Sequence, residues 1–268
     1  MTVWQPVSGC GPRCRGGGDD LVAGVRAALR LVAVAGVVLL GLVIVPIHCD
    51  GIRAIARMLL AALGVRLRWR GPAPRSGSLL VANHVSWMDI VVLLAIQPVR
   101  LVAKYEVRGW PGIGALAAIT GTVFVDRSRP KTLPATVAEV AAALRGGRSV
   151  AVFPEGTTHC GAARCALSFR PAMFQAALDA GAPVVPITIS YDSRAVAFIS
   201  DDTLWSSVRR VCALRRPAVT VTAASALYPV AGADRRILAQ AAQASVSCLV
   251  PPLPNQLAHR KLSAVMQA

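Results

Sequence analysis

The segment Asn83-His84-Val85-Ser86-Trp87-Met88-Asp89 sets an imidazole and a carboxylate five positions apart, directly after the apolar run Ser78 to Ala82. A strand ending at Ala82 and a helix beginning near Ser86 would put His84 at the turn between them, where α/β sheets carry site residues. Asp89 would then lie in the first helical turn, with its carboxylate able to reach back to the imidazole. That contact holds one ring nitrogen protonated and leaves the other free to take a proton from an attacking hydroxyl. On its own the spacing fits equally a capping aspartate beside a locally satisfied histidine.

Three further segments fall at strand ends. Asp126-Arg127 follows the run Thr122 to Val125 and offers a guanidinium fork to a phosphate or carboxylate. Pro154-Glu155-Gly156-Thr157-Thr158 follows Ser149 to Phe153 and combines a proline-fixed turn, a carboxylate, a flexible glycine and two hydroxyls. Val185-Pro186-Ile187 enters a later run, where a missing N–H suits a strand start or an edge. Taken singly, these read as a surface ion pair, a cap and an edge marker.

The elements that must position these groups are legible from residue 71 onward, where short β-rich runs alternate with alanine-rich helical stretches, the pattern of an α/β domain. Strands are expected at Ser78 to Ala82, Arg100 to Ala103, Thr122 to Val125, Ser149 to Phe153, Val184 to Ile189 and Val219 to Thr222. Helices are expected at Trp87 to Ile96, Pro111 to Ile119, Leu133 to Leu144 and Pro171 to Asp179, with Pro111 at a first helical position. Ile237 to Val246 reads as one more helix, stopped by Pro251-Pro252.

Upstream, Leu31 to Ile47 is a charge-free apolar run of a length able to span a bilayer. It lies too deep in the chain and lacks the small-residue cleavage site of a removable signal. Ile52 to Val65 follows with apolar residues at helical spacing around Arg53 and Arg57, like an interfacial amphipathic helix. Arginines flank the apolar run on both sides, at 13, 15, 26 and 30 and again at 66, 68, 70 and 75, so charge gives no clean orientation. A spanning helix and a hairpin dipping into one leaflet both remain open, the symmetric charge favouring the hairpin. Residues 1–20 are glycine-rich, polar and without periodicity, and read as a disordered tail without chemistry. The expected organisation is tail 1–20, membrane-associating helical segment 21–65, catalytic domain 66–235, and C-terminal helix and tail 236–268.

Composition agrees. The 268 residues are 54% hydrophobic and 16% charged, with 29 Lys and Arg against 13 Asp and Glu, for a net charge of +16. Such a chain needs an anionic partner. With only 5% aromatic residues it fits a membrane surface of anionic lipids better than single-stranded nucleic acid, whose binders rely on stacking. The seven cysteines, an odd number scattered over a long chain, point to a reducing compartment. His159, Cys160 and Cys165 suggest a metal set, but no second CxxC or HxxxH supplies a fourth ligand at a familiar spacing, so they read as loop thiols.

Together and in this order, NHVSWMD, GTVFVDR, FPEGTT and VVPITI resemble the glycerolipid acyltransferase superfamily, typified by 1-acylglycerol-3-phosphate acyltransferase, over roughly residues 78 to 190. The resemblance implies an α/β, glycerol-phosphate-acyltransferase-like domain with a mixed, largely covered sheet, preceded by an N-terminal membrane helix or helical hairpin. It implies His84 as general base, Asp89 as its partner, Arg127 with Glu155, Gly156 and Thr157 in acceptor binding, and Pro186 in a structural fourth motif. Lys104 matches a lysine that the family uses near the acceptor phosphate. The implied reaction moves a fatty acyl group from acyl-CoA or acyl-carrier protein to a lysolipid hydroxyl, with no metal, no other cofactor and no covalent acyl-enzyme, at the cytoplasmic side of the cell membrane. A thioester is already activated, so one base suffices if hydroxyl and carbonyl are aligned.

Thr158 stands where the third motif commonly carries arginine. With Ser86-Trp87 and Glu106-Val107-Arg108-Gly109-Trp110-Pro111, this looks closer to bacterial members that acylate lyso-ornithine lipid or other lysolipids. A serine hydrolase is excluded because Gly147-Arg148-Ser149-Val150-Ala151 opens a strand and lacks the second glycine of a nucleophile elbow. A nucleotide site is excluded too, since Gly112-Ile113-Gly114 does not directly follow a strand and no Walker A sequence exists. A non-catalytic membrane-surface protein on the same fold is the remaining alternative, and the pairing of His84 with Asp89 argues against it.

Overall fold

The computed structural model describes residues 6–15, 22, 24–47, 51–110, 112–162, 165–199, 202–230 and 232–249. Pro111, Cys49 and the chain beyond 249 lie outside the described residues, as do 1–5 and 16–20 of the stretch read as a tail.

Strands β1 (Arg66–Arg70), β2 (Leu79–Ala82), β3 (Arg100–Lys104), β4 (Val123–Val125), β5 (Val150–Val152), β6 (Val184–Tyr191) and β7 (Ala218–Ala223) form one seven-stranded sheet in the order β1-β7-β6-β2-β5-β3-β4. All neighbours are parallel except β6 and β7, so the sheet is mixed. The helices are α1 (Gly24–Ile47), α2 (Ile52–Ala62), α3 (Met88–Ile96), α4 (Ile113–Ile119), α5 (Leu133–Arg145), α6 (Ala172–Ala180), α7 (Leu204–Ala213) and α8 (Arg235–Cys248).

Both faces of the sheet are covered, and β2 shows why its sequence is apolar throughout. Leu80 and Ala82 point into one core with Leu60 of α2, Met88 and Val92 of α3 and Val211 of α7. Leu79 and Val81 point into the other, with Val140 of α5, Phe174 of α6 and Ala242 of α8. A strand buried on both sides must be hydrophobic at every position. Helix α8 is therefore part of the second layer, and the boundary expected at 235 does not separate an appendage. The Thr188 hydroxyl donates to the Val246 carbonyl at 2.8 Å, and Gln243 of the same helix accepts from the Phe169 amide at 3.0 Å.

Two elements escaped the sequence reading. The arginines at 66, 68 and 70 alternate with Leu67 and Trp69 on β1, an edge strand beside β7 whose arginines face outward. Helix α7 carries too many polar residues for its buried Val211 and Cys212 to stand out.

Helix α1, with 24 residues, is the one helix among those described that is long and apolar enough to cross a membrane. At 1.5 Å per residue it measures about 36 Å, against about 30 Å of bilayer hydrocarbon. Val25, Leu29, Val32, Leu39, Val43 and Ile47 are exposed along it. Gly41 lets α1 approach α2 closely, since a Cβ there would stand 3.0 Å from the Ile55 side chain. Arg30 fastens the start of α1 to the domain by donating to the Cys212 and Leu214 carbonyls at the end of α7, where a cation also meets the negative end of the helix dipole.

Residues 6–15 correct the reading of this stretch as a disordered tail. They include a 3-10 turn at Pro12–Arg15, bury Cys10 to 3% exposure, and pack with Val85, Cys160, Ala197 and Ile199. Their glycines and arginines hid from a composition argument the two cysteines that anchor them.

Candidate active site

The site lies at the carboxyl ends of β2, β3, β4 and β5. The chain leaves β2 into α3, which packs on one face of the sheet, and leaves the neighbouring β5 toward α6, on the other face. Such a divergence opens a crevice between the two strand ends, the general location of ligand sites in open α/β sheets. His84 stands past the end of β2 and Glu155 past the end of β5, on the two sides of that crevice.

His84 Nδ1 is 2.8 Å from Asp89 Oδ2. The same oxygen accepts the Val85 and Ser86 amides at 2.7 and 2.9 Å, while Oδ1 accepts the Tyr191 hydroxyl at 2.6 Å. Asp89 is wholly buried. A buried carboxylate surrounded by donors acts as an ionised acceptor, so the network assigns the His84 proton to Nδ1 and the lone pair to Nε2. Burial, together with the adjacent Asp89 charge, pushes the Tyr191 phenol well above its ordinary value and keeps it a donor. Phe153 stacks on the imidazole with ring centroids 4.0 Å apart and fixes its plane.

Glu155 is 2% exposed. Its Oε2 accepts the His84 amide at 3.0 Å, and its Oε1 lies 3.1 Å from His159 Nε2. The His159 amide in turn donates to the His84 carbonyl at 2.9 Å, and His159 Nδ1 accepts the Gly161 amide at 3.0 Å. The expected substrate ligand Glu155 is thus placed as a strut beneath the His84 backbone.

The basic residues gather on the other side. Burial, and then the neighbouring Arg127, push the Lys104 ammonium below its ordinary value. Burial and then Arg170 lower the Arg127 guanidinium, with Glu106 partly offsetting both. Arg127 donates to the Gly156 carbonyl at 2.5 Å, and the Arg170 amide donates to the Pro154 carbonyl at 3.0 Å. Cations packed close enough to depress one another are relieved by an anion.

A family model described as Acyltransferase matches residues 65–190, a span that contains all of these groups except Tyr191, which directly follows it. The chain is 39% identical over 195 residues to lyso-ornithine lipid O-acyltransferase of Pseudomonas aeruginosa, a match covering 70% of this chain and 73% of that protein. The chain belongs to the acyltransferase family. It is also 38% identical over 139 residues to 1-acyl-sn-glycerol-3-phosphate acyltransferase of Neisseria meningitidis, where the match spans 51% of this chain and about half, 54%, of that protein. The crystal structure of the 1-acyl-sn-glycerophosphate acyltransferase from Thermotoga maritima has the same fold, with a TM-score of 0.65 over 84% of this chain and 95% of that one at 20% identity.

In this acyltransferase the sequence-selected residues divide into three groups. His84 and Asp89 are in direct contact; Lys104 and Arg127 converge electrostatically at the strand ends; Glu155, Gly156 and Thr157 form the loop that links the two sets. Gly156 has φ +76°, a left-handed conformation that glycine tolerates and that turns its carbonyl to Arg127. Thr158 points away from the basic group, its hydroxyl donating to the Phe198 carbonyl. Pro186 sits inside β6 and opposite Val81 of β2. Tyr191 and Arg170 were missed, because neither carries a local pattern. Tyr191 could have been found only by noticing that β6 must run beside β2 and carry it to the start of α3.

Proposed function

We propose that this acyltransferase esterifies a lysolipid hydroxyl with an acyl group from acyl-CoA or acyl-carrier protein, with His84 as the general base. The observation that carries the reading is the Asp89 carboxylate, which receives four donors and so leaves His84 Nε2 as the basic atom at the crevice. In the proposed reaction Nε2 takes the hydroxyl proton as the oxygen attacks the thioester carbonyl. Asp89 stabilises the imidazolium that forms. Collapse of the tetrahedral intermediate breaks the C–S bond, and the departing thiolate takes the proton from Nε2, leaving an ester and a free thiol.

Lys104, Arg127 and Arg170 would receive the anionic group, carboxylate or phosphate, of the acceptor's head. Lyso-ornithine lipid is the preferred acceptor in this proposal, for two reasons. Thr158 supplies no cation where the family's third motif has arginine, which suits a singly charged carboxylate better than a phosphate monoester. The relative matched over 73% of its length is named for that substrate. Helix α1 would hold the domain against the cytoplasmic face of the membrane, so that the acceptor's acyl chain stays in the bilayer while its headgroup enters the crevice.

The test is labelled acyl transfer in detergent or vesicles, with wild type and His84→Ala offered lyso-ornithine lipid, lysophosphatidate and other lysophospholipids. Product from wild type only, greatest with lyso-ornithine lipid, is expected. Near-wild-type turnover by His84→Ala would overturn the mechanism. Absence of product from both acyl-CoA and acyl-carrier protein would overturn the function.

A further inference from the structure

Cys10 and Cys14 are some 150 positions from Cys160 and Cys165 in sequence, yet the four sulfur atoms all lie within 4.8 Å of one another. We propose that these four cysteines bind a structural zinc ion that clips the N-terminal segment to the active-site loop.

The donor set and its spacing support zinc. At about 2.3 Å per Zn–S bond, tetrahedral thiolate ligands stand about 3.8 Å apart, so the sulfurs are already near the required separation. An iron–sulfur cluster places inorganic sulfide between its cysteines and needs them spread more widely. Magnesium and calcium take oxygen ligands. One member of each pair is held by a local backbone bond, the Cys14 amide donating to the Gly11 carbonyl at 2.9 Å and the Cys165 amide to the Ala162 carbonyl at 2.8 Å. The Cys160 amide donates to Cys10 Sγ at 3.4 Å, a contact that would stabilise a thiolate. Cys10 and Cys160 are buried, and Cys14 and Cys165 half-buried, so the set is closed on the protein side. Cys14 lies between Arg13 and Arg15, of which Arg15 also pairs with Asp202 at 3.6 Å, so Arg13 is the cation beside it that would offset part of the negative charge of a tetrathiolate.

The donor set is four thiols and excludes His159, the residue that made the sequence look like a metal site. Its Nδ1 accepts the Gly161 amide, and its Nε2 lies 3.1 Å from Glu155 Oε1. The fold supplies instead the two ligands that local spacing could not.

The position of the cluster gives it a consequence for the site. Cys160 follows His159, whose amide holds the His84 carbonyl. At the other end of the same loop, Gly156 lies beneath the N-terminal segment, where a Cβ would stand 2.9 Å from Pro6. A metal at the four sulfurs would fasten both the support of His84 and the cover over Gly156. Its role is positional, and no step of acyl transfer passes through it.

The test is metal analysis of the full-length protein, purified in detergent under reducing conditions without chelator or metal-affinity resin. About one zinc per chain is expected, falling at least fivefold in Cys10→Ser/Cys14→Ser. Exchange with Co²⁺ should give the intense near-ultraviolet thiolate-to-metal bands and visible bands of a tetrahedral all-sulfur site, absent from the double variant. Wild type with less than about 0.2 zinc per chain and no cobalt spectrum overturns the proposal, whether mass analysis then shows free thiols or two disulfides. Iron or copper at stoichiometric level in place of zinc overturns it too. These readouts do not use activity, so they stand whatever the acyl acceptor proves to be.

Discussion

Two stretches hold His84, the turn from Asn83 to Asp89 and the loop from Phe153 to Cys165, and they hold it by different means. The turn works within itself: Asp89 binds the imidazole and the two amides that follow it in the chain. The loop works across the sheet, with Phe153 under the ring and Glu155 and His159 on the backbone of His84. Its placement depends on the register of β2 with β5, Leu80 opposite Ala151. The loop also reaches the basic side, through Gly156 to Arg127 and Pro154 to Arg170. In the proposed reaction chemistry would thus be encoded locally, whereas its coupling to acceptor binding would be encoded by strand pairing. Changes in the turn should act on kcat, those on the basic side on KM, and those in the loop on both.

The largest effect is expected in the turn. Asp89→Asn keeps the shape but replaces one acceptor oxygen by an N–H₂, which must oppose either the Tyr191 hydroxyl or the donors on the other side. With the His84 tautomer no longer fixed, kcat should fall about 10³–10⁴-fold while acceptor KM changes little. A loss below tenfold, with far-UV circular dichroism retained, would transfer control of the imidazole from the turn to the loop.

Glu155→Gln probes the loop directly. Glu155 Oε2 accepts the His84 amide and Oε1 lies 3.1 Å from His159 Nε2, and an amide can turn its oxygen toward only one of them. A buried unsatisfied group costs about 1–3 kcal/mol, so thermal stability should fall, and kcat with it by about 10–100-fold as the His84 backbone shifts. Lower stability with unchanged kcat and KM would make the loop a support of the fold only.

What could be read in the sequence follows the same division. His84 and Asp89 were legible because an i to i+5 pair at a strand–helix junction carries its own geometry. The sheet was legible where strands are buried on both faces, as in β2, and illegible at β1, whose alternating arginines present a polar edge. Tyr191 and the clustered cysteines were invisible because their partners lie 102 and 150 positions away, beyond any local period. Glu155 was found as a residue, but its contact with the His84 backbone was not, since a carboxylate beside Gly-Thr looks the same in sequence whether it faces substrate or backbone.

Tyr191→Phe should be milder. It removes one hydrogen bond to a charged acceptor, about 1.5–3 kcal/mol, and leaves the imidazole contact in place, so a kcat loss on the order of tenfold is expected. Because burial and the Asp89 charge keep the phenol protonated, wild type and variant should have alkaline limbs of the same shape. An inflection present in wild type and absent from the variant would contradict a purely donating Tyr191.

The smallest effect belongs to the basic side. Lys104 is pushed below the ordinary lysine value by desolvation and then by Arg127, so it loses its charge at lower pH than an isolated lysine. Below that point the ammonium attracts an anionic acceptor; above it the attraction is gone. Acceptor KM should therefore rise a few-fold as pH increases through the depressed value, with kcat following a separate course set in the turn. Lys104→Arg keeps its charge throughout and should flatten the rise in KM without restoring or removing any feature of kcat. If KM rises in the variant as in wild type, Lys104 does not sense the acceptor's charge, and Arg127 and Arg170 carry the anion site without it.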